Sequence, residues 1–428
     1  MANGTQAMTP ELSPEDVRAI TAKMVELLEA RCVRLNGRDP GWSSLFAAAS
    51  NRLEECKTHA EFESEVNVVL PRGGLSHVAF FHESAKRAPA RYAINATFCE
   101  CRDEGDQDAR WMFQDVHEGG PASRAGIRPG DALLDLNGEP VAPPVTPTFA
   151  LGTDAVLTVR RHGEAPKQVT VVLPKPPANG KASAKPPMAE PTSVTARVIE
   201  DGIGYVRVAF FPGVNGQRFA RELDRALATL PGCDRLVIDL RGNLGGFVGS
   251  LRLMSYLTPE RLPVGYSLTR KGQVRGWRPD RLPCIDKLPA TKLDSLWMAI
   301  RFLVFNKDRS IRLTTEGLGP KPFHGRVVML VNEHTLSAGE MVASFAQENR
   351  LATLVGTRTG GQVLGGGNFA VGHGFILRMP AAAWFTPSGV VVEGKGVAPD
   401  IPAPLEGGML ADRDTQLKAA VSAVRALG

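Results

Sequence analysis

No stretch of the 428 residues approaches the ~18 consecutive apolar residues of a membrane-crossing helix, so no membrane span is expected. The opening Met-Ala-Asn-Gly-Thr-Gln-Ala-Met has neither a basic n-region nor an apolar h-region. The expectation is a cytoplasmic protein, or a periplasmic one if a signal sequence has been removed. Cysteines are few: Cys32, Cys56, Cys99, Cys101, Cys233 and Cys284. None forms a Cys-x-x-Cys pair, and Cys99 and Cys101 fall on one face of a predicted strand, which argues against zinc and against their pairing. Free thiols in a reducing compartment are the simpler reading. An excess of one charge sign is also lacking, with 50 Lys and Arg against 45 Asp and Glu. A net +5 without any Lys/Arg run interleaved with aromatics excludes an obvious nucleic-acid surface. Gly365-Gly-Gly367 lacks the Lys-Ser/Thr of a phosphate loop. No metal and no cofactor is expected.

What is present is an ordinary globular composition, 43% hydrophobic and 22% charged, long enough for two or three domains. Residues 1–10 read as disordered. Ser13-Pro-Glu-Asp16 is a helix start, with Ser13 as N-cap, Pro14 in the first turn and acids beside it. Val17, Ile20, Met24, Leu27 and Leu28 follow at helical period, and further helical stretches are predicted over 42–56 and 61–69. Together 11–90 forms an N-terminal helical domain. Residues 91–173 switch to short β-like runs (92–99, 110–116, 132–137, 155–160, 169–173) around Gly119-Gly-Pro-Ala-Ser-Arg-Ala-Gly-Ile-Arg-Pro-Gly-Asp131. A Pro-rich stretch, within 174–193, is a linker. Residues 194–428 alternate strands and helices, as in an α/β layer fold. The region 260–323 carries no readable motif and is open to a lid or an oligomer contact; a homo-oligomer is allowed.

The informative segment is Thr335-Leu-Ser-Ala-Gly-Glu340. Ser337 stands where an apolar strand (Arg326–Val331) gives way to a helix. A hydroxyl there lies beside unpaired backbone N–H groups suited to an oxyanion. Ser-x-x-Glu is also a helix capping box, and taken alone this segment favours that structural reading of Ser337 and Glu340.

The pattern of 119–138 resembles a PDZ domain, a module that takes up extended peptides by strand addition. The order of motifs resembles the S41 serine peptidases, the C-terminal processing or tail-specific proteases. These motifs are the PDZ pattern, Asp239-Leu-Arg-Gly-Asn-Leu-Gly-Gly246, Thr335–Glu340, Gly356-Thr-Arg-Thr-Gly-Gly361, Thr386-Pro-Ser-Gly389 and Gly394-Lys-Gly-Val-Ala-Pro-Asp400. The resemblance implies an α+β multidomain chain: the N-terminal helices, a PDZ β-barrel-like domain and a ClpP/crotonase-like α/β catalytic domain. Familiar members use a serine–lysine dyad, but the lysine position is Gln362 here, and an amide cannot serve as base. The tricorn-core branch instead uses serine, histidine, serine and glutamate. It places a Ser-His ahead of the PDZ domain and a glutamate before Gly-Val-x-Pro-Asp-Ile. Ser76-His77 and Glu393 stand in those places. The resemblance therefore implies Ser337 as nucleophile, His77 as base, and Glu393 and Ser76 as orienters. The oxyanion donors would be the Ala338 N–H and one from Gly245 or Gly246. His334 and His373 compete as base, Glu340 as orienter, and Lys395 as a replacement dyad lysine. The implied activity is hydrolysis of peptides or unfolded C-termini, with the PDZ domain capturing substrate or gating the site. The alternatives are an inactive S41-like binder of a peptide or apolar ligand, or a PDZ scaffold only.

Overall fold

The computed structural model describes residues 11–35, 39–84, 87–102, 109–175, 188–301, 308–405 and 414–427. The predicted disorder over 1–10 and the middle of the linker lie outside them. The first helix spans Pro14–Arg31 behind a capping box, with the Asp16 N–H donating to Ser13 Oγ at 3.2 Å. The stretch expected over 42–56 is two short helices, Trp42–Ala47 and Ser50–Glu54, with Trp42, Phe46 and Leu53 turned inward. The helices share one core with Phe80, Val371, Phe375, Leu377 and Met379. The N-terminal segment is thus packed on strands supplied from far down the chain.

Those strands belong to a sheet ordered Ala79–His82, Phe375–Phe385, Pro263–Thr269, Ile311–Thr314, Cys284–Ile285, with Gly365–Gly372 paired on Phe375–Phe385. Among its described residues, the unreadable region 260–323 therefore supplies three strands. They are short or bulged at Pro263–Gly265, which hides their period from the sequence.

The central sheet is ordered Val194–Glu200, Ile203–Val208, Arg235–Asp239, Val327–Val331, Thr353–Gly356, Ile401–Pro402. The first pair is antiparallel and the remainder parallel. Strand Val327–Val331 is buried on both faces, as its unbroken apolar run requires. Val327, Met329 and Val331 face a core built with helices Gln217–Ala228, Ser250–Leu257 and Ala338–Glu348. Val328 and Leu330 face the C-terminal helix, Thr415–Ala426, through Ala420 and Val424.

The PDZ sheet is ordered Ala96–Cys101, Arg110–Val116, Ala132–Leu136, Ala155–Arg160, Lys167–Val171. Of the run expected as strand over 92–99, residues 92 and 93 instead end a helical turn, Ala90–Ala93, because Pro89 sets the preceding backbone and Ala90 and Ala93 are small enough to bury in a single turn; the strand is Ala96–Cys101. Asn137-Gly138 makes the anticipated tight turn, both with positive φ (57° and 83°). All six cysteines are free. No helix among the described residues is long and apolar enough to cross a membrane, and none of their side-chain groups forms a candidate metal site.

Candidate active site

Ser337 sits at the turn between strand Val327–Val331 and helix Ala338–Glu348, with φ 54° and ψ −117°. This is a costly conformation for a non-glycine residue, of the kind kept at functional turns. It is not the extended geometry of an ordinary N-cap. The surroundings over-determine it. The Ser337 N–H donates to the Gln362 carbonyl at 2.9 Å, with a longer contact to Glu340 Oε2 at 3.3 Å. Glu340 is fully buried and also accepts from Thr359 Oγ1 (2.6 Å), Gly361 N–H (2.7 Å) and Gln362 N–H (2.7 Å). Burial raises its pKa, opposed by those hydrogen bonds. Glu340 therefore ties segment 359–362 to the serine turn.

Opposite lies the glycine loop that follows strand Arg235–Asp239. A Cβ on Gly245 would stand 2.6 Å from Ser337 Cβ and 3.1 Å from Ser337 Oγ, so only glycine fits. The Gly245 N–H is already engaged, donating to Asn243 Oδ1 at 2.8 Å. Of the two glycine donors considered from sequence, Gly246 is the one left for an oxyanion. Among the described residues, neither the Gly246 nor the Ala338 N–H is taken by a backbone acceptor.

His77 and Ser76 precede strand Ala79–His82, which pairs with Phe375–Phe385. That pairing carries the N-terminal Ser-His into the C-terminal half of the chain. Ser76 Oγ and His77 Nδ1 are 2.8 Å apart. The Ser76 N–H donates to Glu393 Oε1 (2.8 Å), and Glu393 Oε2 accepts the Val363 N–H (2.8 Å). Val363 follows Gln362, whose carbonyl holds Ser337. The structure thus links Ser337, Glu393, Ser76 and His77 through segment 362–363. Glu393 meets the imidazole only through Ser76, where the sequence had suggested a shared grip. Burial, with Arg378 and Arg91 adding to it, lowers the His77 pKa to about 4.

The rivals are placed elsewhere. His334 Nε2 bonds the Phe98 carbonyl in the PDZ domain (3.1 Å), His373 pairs with Asp16 (3.3 Å), and Lys395 is exposed. Sequence reasoning missed the roles of Asn243, Val363 and Thr359. Asn243 lies inside a motif already singled out, so a signal existed there; backbone donors such as Val363 leave none.

Residues 202–403 match the sequence profile of peptidase family S41, and 112–161 match a PDZ domain. The chain is 26% identical over 398 residues to "Putative tricorn protease homolog 2" of Streptomyces coelicolor, covering 87% of this chain but 29% of that protein. It is 25% identical over 291 residues to a carboxy-terminal-processing protease of Bartonella bacilliformis, covering 66% of this chain and 55% of that one. The chain thus spans about half or less of these relatives. In fold it is similar to the photosystem II D1 C-terminal processing protease (TM-score 0.53, 18% identity, 96% and 97% of the two chains). A putative S41 protease from Bacteroides fragilis is similarly close (TM-score 0.55, 15% identity, 95% and 97%).

Proposed function

We propose that this chain, a PDZ-bearing member of peptidase family S41, hydrolyses peptide bonds in peptides or unfolded protein C-termini through Ser337, His77, Ser76 and Glu393. The observation that carries this reading is the hydrogen-bonded path from the strained Ser337 turn through Val363 and Glu393 to Ser76 and His77.

The chemistry follows from that geometry. For His77 Nε2 to be the proton acceptor, the ring must carry its hydrogen on Nδ1, donated to Ser76 Oγ. Glu393 fixes the Ser76 backbone, hence the hydroxyl and the tautomer. Ser337 Oγ attacks the scissile carbonyl carbon while its proton passes to His77 Nε2. The carbonyl oxygen becomes an oxyanion facing the Ala338 and Gly246 N–H groups. Collapse breaks the C–N bond, and His77 returns the proton to the leaving amine. Water, deprotonated by His77, then attacks the acyl carbon; the C–Oγ bond breaks, His77 returns the proton to Ser337 Oγ and the carboxylate product leaves. The PDZ domain contacts both loops beside Ser337, through His334 on one side and Gly242 on the other, which supports a gating role.

The test is labelling by a fluorophosphonate, read by intact mass, with hydrolysis of an unfolded protein measured alongside. Wild type should take one adduct; Ser337→Ala and His77→Ala should take none at matched times. The double variant should be no slower in hydrolysis than either single one, because the residues act as a unit. Undiminished labelling of His77→Ala would remove His77 as base.

A further inference from the structure

The oxyanion loop is anchored from outside the catalytic domain. The Gly242 peptide is held on both sides. Its N–H donates to Asn332 Oδ1 (3.0 Å), while Asn332 Nδ2 donates to Asp115 Oδ2 (3.0 Å). Its carbonyl accepts from His117 Nε2 at 2.9 Å. Asp115 lies near the end of the second strand of the PDZ sheet, Arg110–Val116, His117 follows it directly, and both are buried. Gly242 has φ 69°, and a Cβ there would stand 2.8 Å from Asp115 Cβ, so the loop presses directly on this strand. Asp115 also accepts from Thr97 Oγ1 (2.7 Å) and faces the Arg207 guanidinium at 3.6 Å. Burial and Arg207 hold His117 neutral, with its pKa down to about 4. Among the described residues its Nδ1 is buried without a partner, so the proton belongs on Nε2, where Gly242 uses it. Beyond Gly242 the path to the nucleophile is short. The Asn243 carbonyl accepts the Leu336 N–H (3.0 Å), its side chain holds the Gly245 N–H, and Gly245 abuts Ser337.

We infer that Asp115 and His117 are positioning residues, through which the PDZ domain sets the shape of the Gly242–Gly246 loop and so the oxyanion donor. The inference rests on the peptidase reading, and it makes the PDZ domain a wall of the active site. A substrate that shifts this domain would act on kcat through the Gly242 carbonyl.

The test compares His117→Phe with His117→Gln, whose amide nitrogen takes the place of Nε2. Losing one oxyanion donor outright costs about 10²–10³ in rate, and displacing it should cost about 10–100-fold in kcat with KM within about twofold. The Gln variant should recover most of that loss. Normal kcat in His117→Phe overturns the inference, as does a folded Gln variant as slow as the Phe one. Should the Phe variant not fold, His117→Asn, too short to reach Gly242, takes its place in the same contrast. If wild type itself is inert, the peptidase reading fails separately. Amide exchange over 242–246 then decides: faster in the Phe variant but not in the Gln variant supports the anchor, and equal rates sink it.

Discussion

If His77 is the base, as proposed, its depressed basicity predicts activity that tolerates acid. A histidine of ordinary pKa, near 6.5, is ~9% neutral at about pH 5.5, whereas one titrating near 4 is ~97% neutral there. In the proposed mechanism, only the neutral ring can take the Ser337 proton. Thus kcat/KM, which reports the free enzyme, should be nearly the same at about pH 5.5 as at pH 7.5, where an ordinary histidine would lose ~10-fold. The sign follows from the causes. Burial disfavours the imidazolium first, and the Arg378 and Arg91 charges push the same way. Arg378→Gln removes a secondary cause and should raise the acid limb by less than about one unit, leaving it well below 6.5. The assay is the pH dependence of fluorophosphonate inactivation from about pH 4 to 8, with stability followed in parallel so that unfolding is not read as titration. An acid limb between 6 and 7 in folded enzyme would refute the argument, since it would mean that the ring is solvated or paired with a carboxylate.

Three further outcomes are expected. Gly245→Ala should abolish labelling, because the new methyl overlaps Ser337 Cβ, while Gly126→Ala, also at positive φ (81°) but with open space around it, should cost only ~1–2 kcal/mol in a denaturant melt. Glu340→Leu strands the Thr359, Gly361 and Gln362 donors and should lower stability by more than about 3 kcal/mol; Glu340→Gln should cost less, and equal melts for the two would contradict the assigned hydrogen bonds. His117 titrates near 4 when folded and near 6.5 when unfolded, so the unfolded chain binds the extra proton between those values. Stability should therefore fall by about 3 kcal/mol from this residue as pH drops from 6.5 to 4, and His117→Gln should flatten the urea-midpoint profile in that window.

Several parts of this molecule are local enough to be written in the sequence. The helix after Ser13 needs only its capping box and a 3.6-residue apolar period. The turn at Asn137-Gly138 needs only residues that tolerate positive φ. The unbroken Val327–Val331 run can satisfy itself only as a strand covered on both faces, and that fixes where the Ser337 turn must come. Ser337 stands in one of the ordered motifs, and Glu393 and Ser76-His77 stand where the resemblance places a glutamate and a Ser-His.

How those motifs meet was not legible in the sequence. Ser76-His77 reaches the C-terminal half because strand Ala79–His82 pairs with Phe375–Phe385, and strand pairing across so many residues leaves no periodic trace in either partner. Glu393 acts on the backbone of Ser76, and Val363 enters through its N–H; main-chain groups carry no residue identity to read. Gly245 and Gly246 are alike in sequence, yet Asn243 engages the N–H of one and leaves the other. Asp115 and His117 lie in a domain whose own motifs gave no reason to pick them, and only the docking of that domain buries them against Gly242. The sequence by itself determined the parts and their chemistry through local propensity and side-chain type; tertiary packing decided which of them touch, because contact depends on pairing and burial between distant segments.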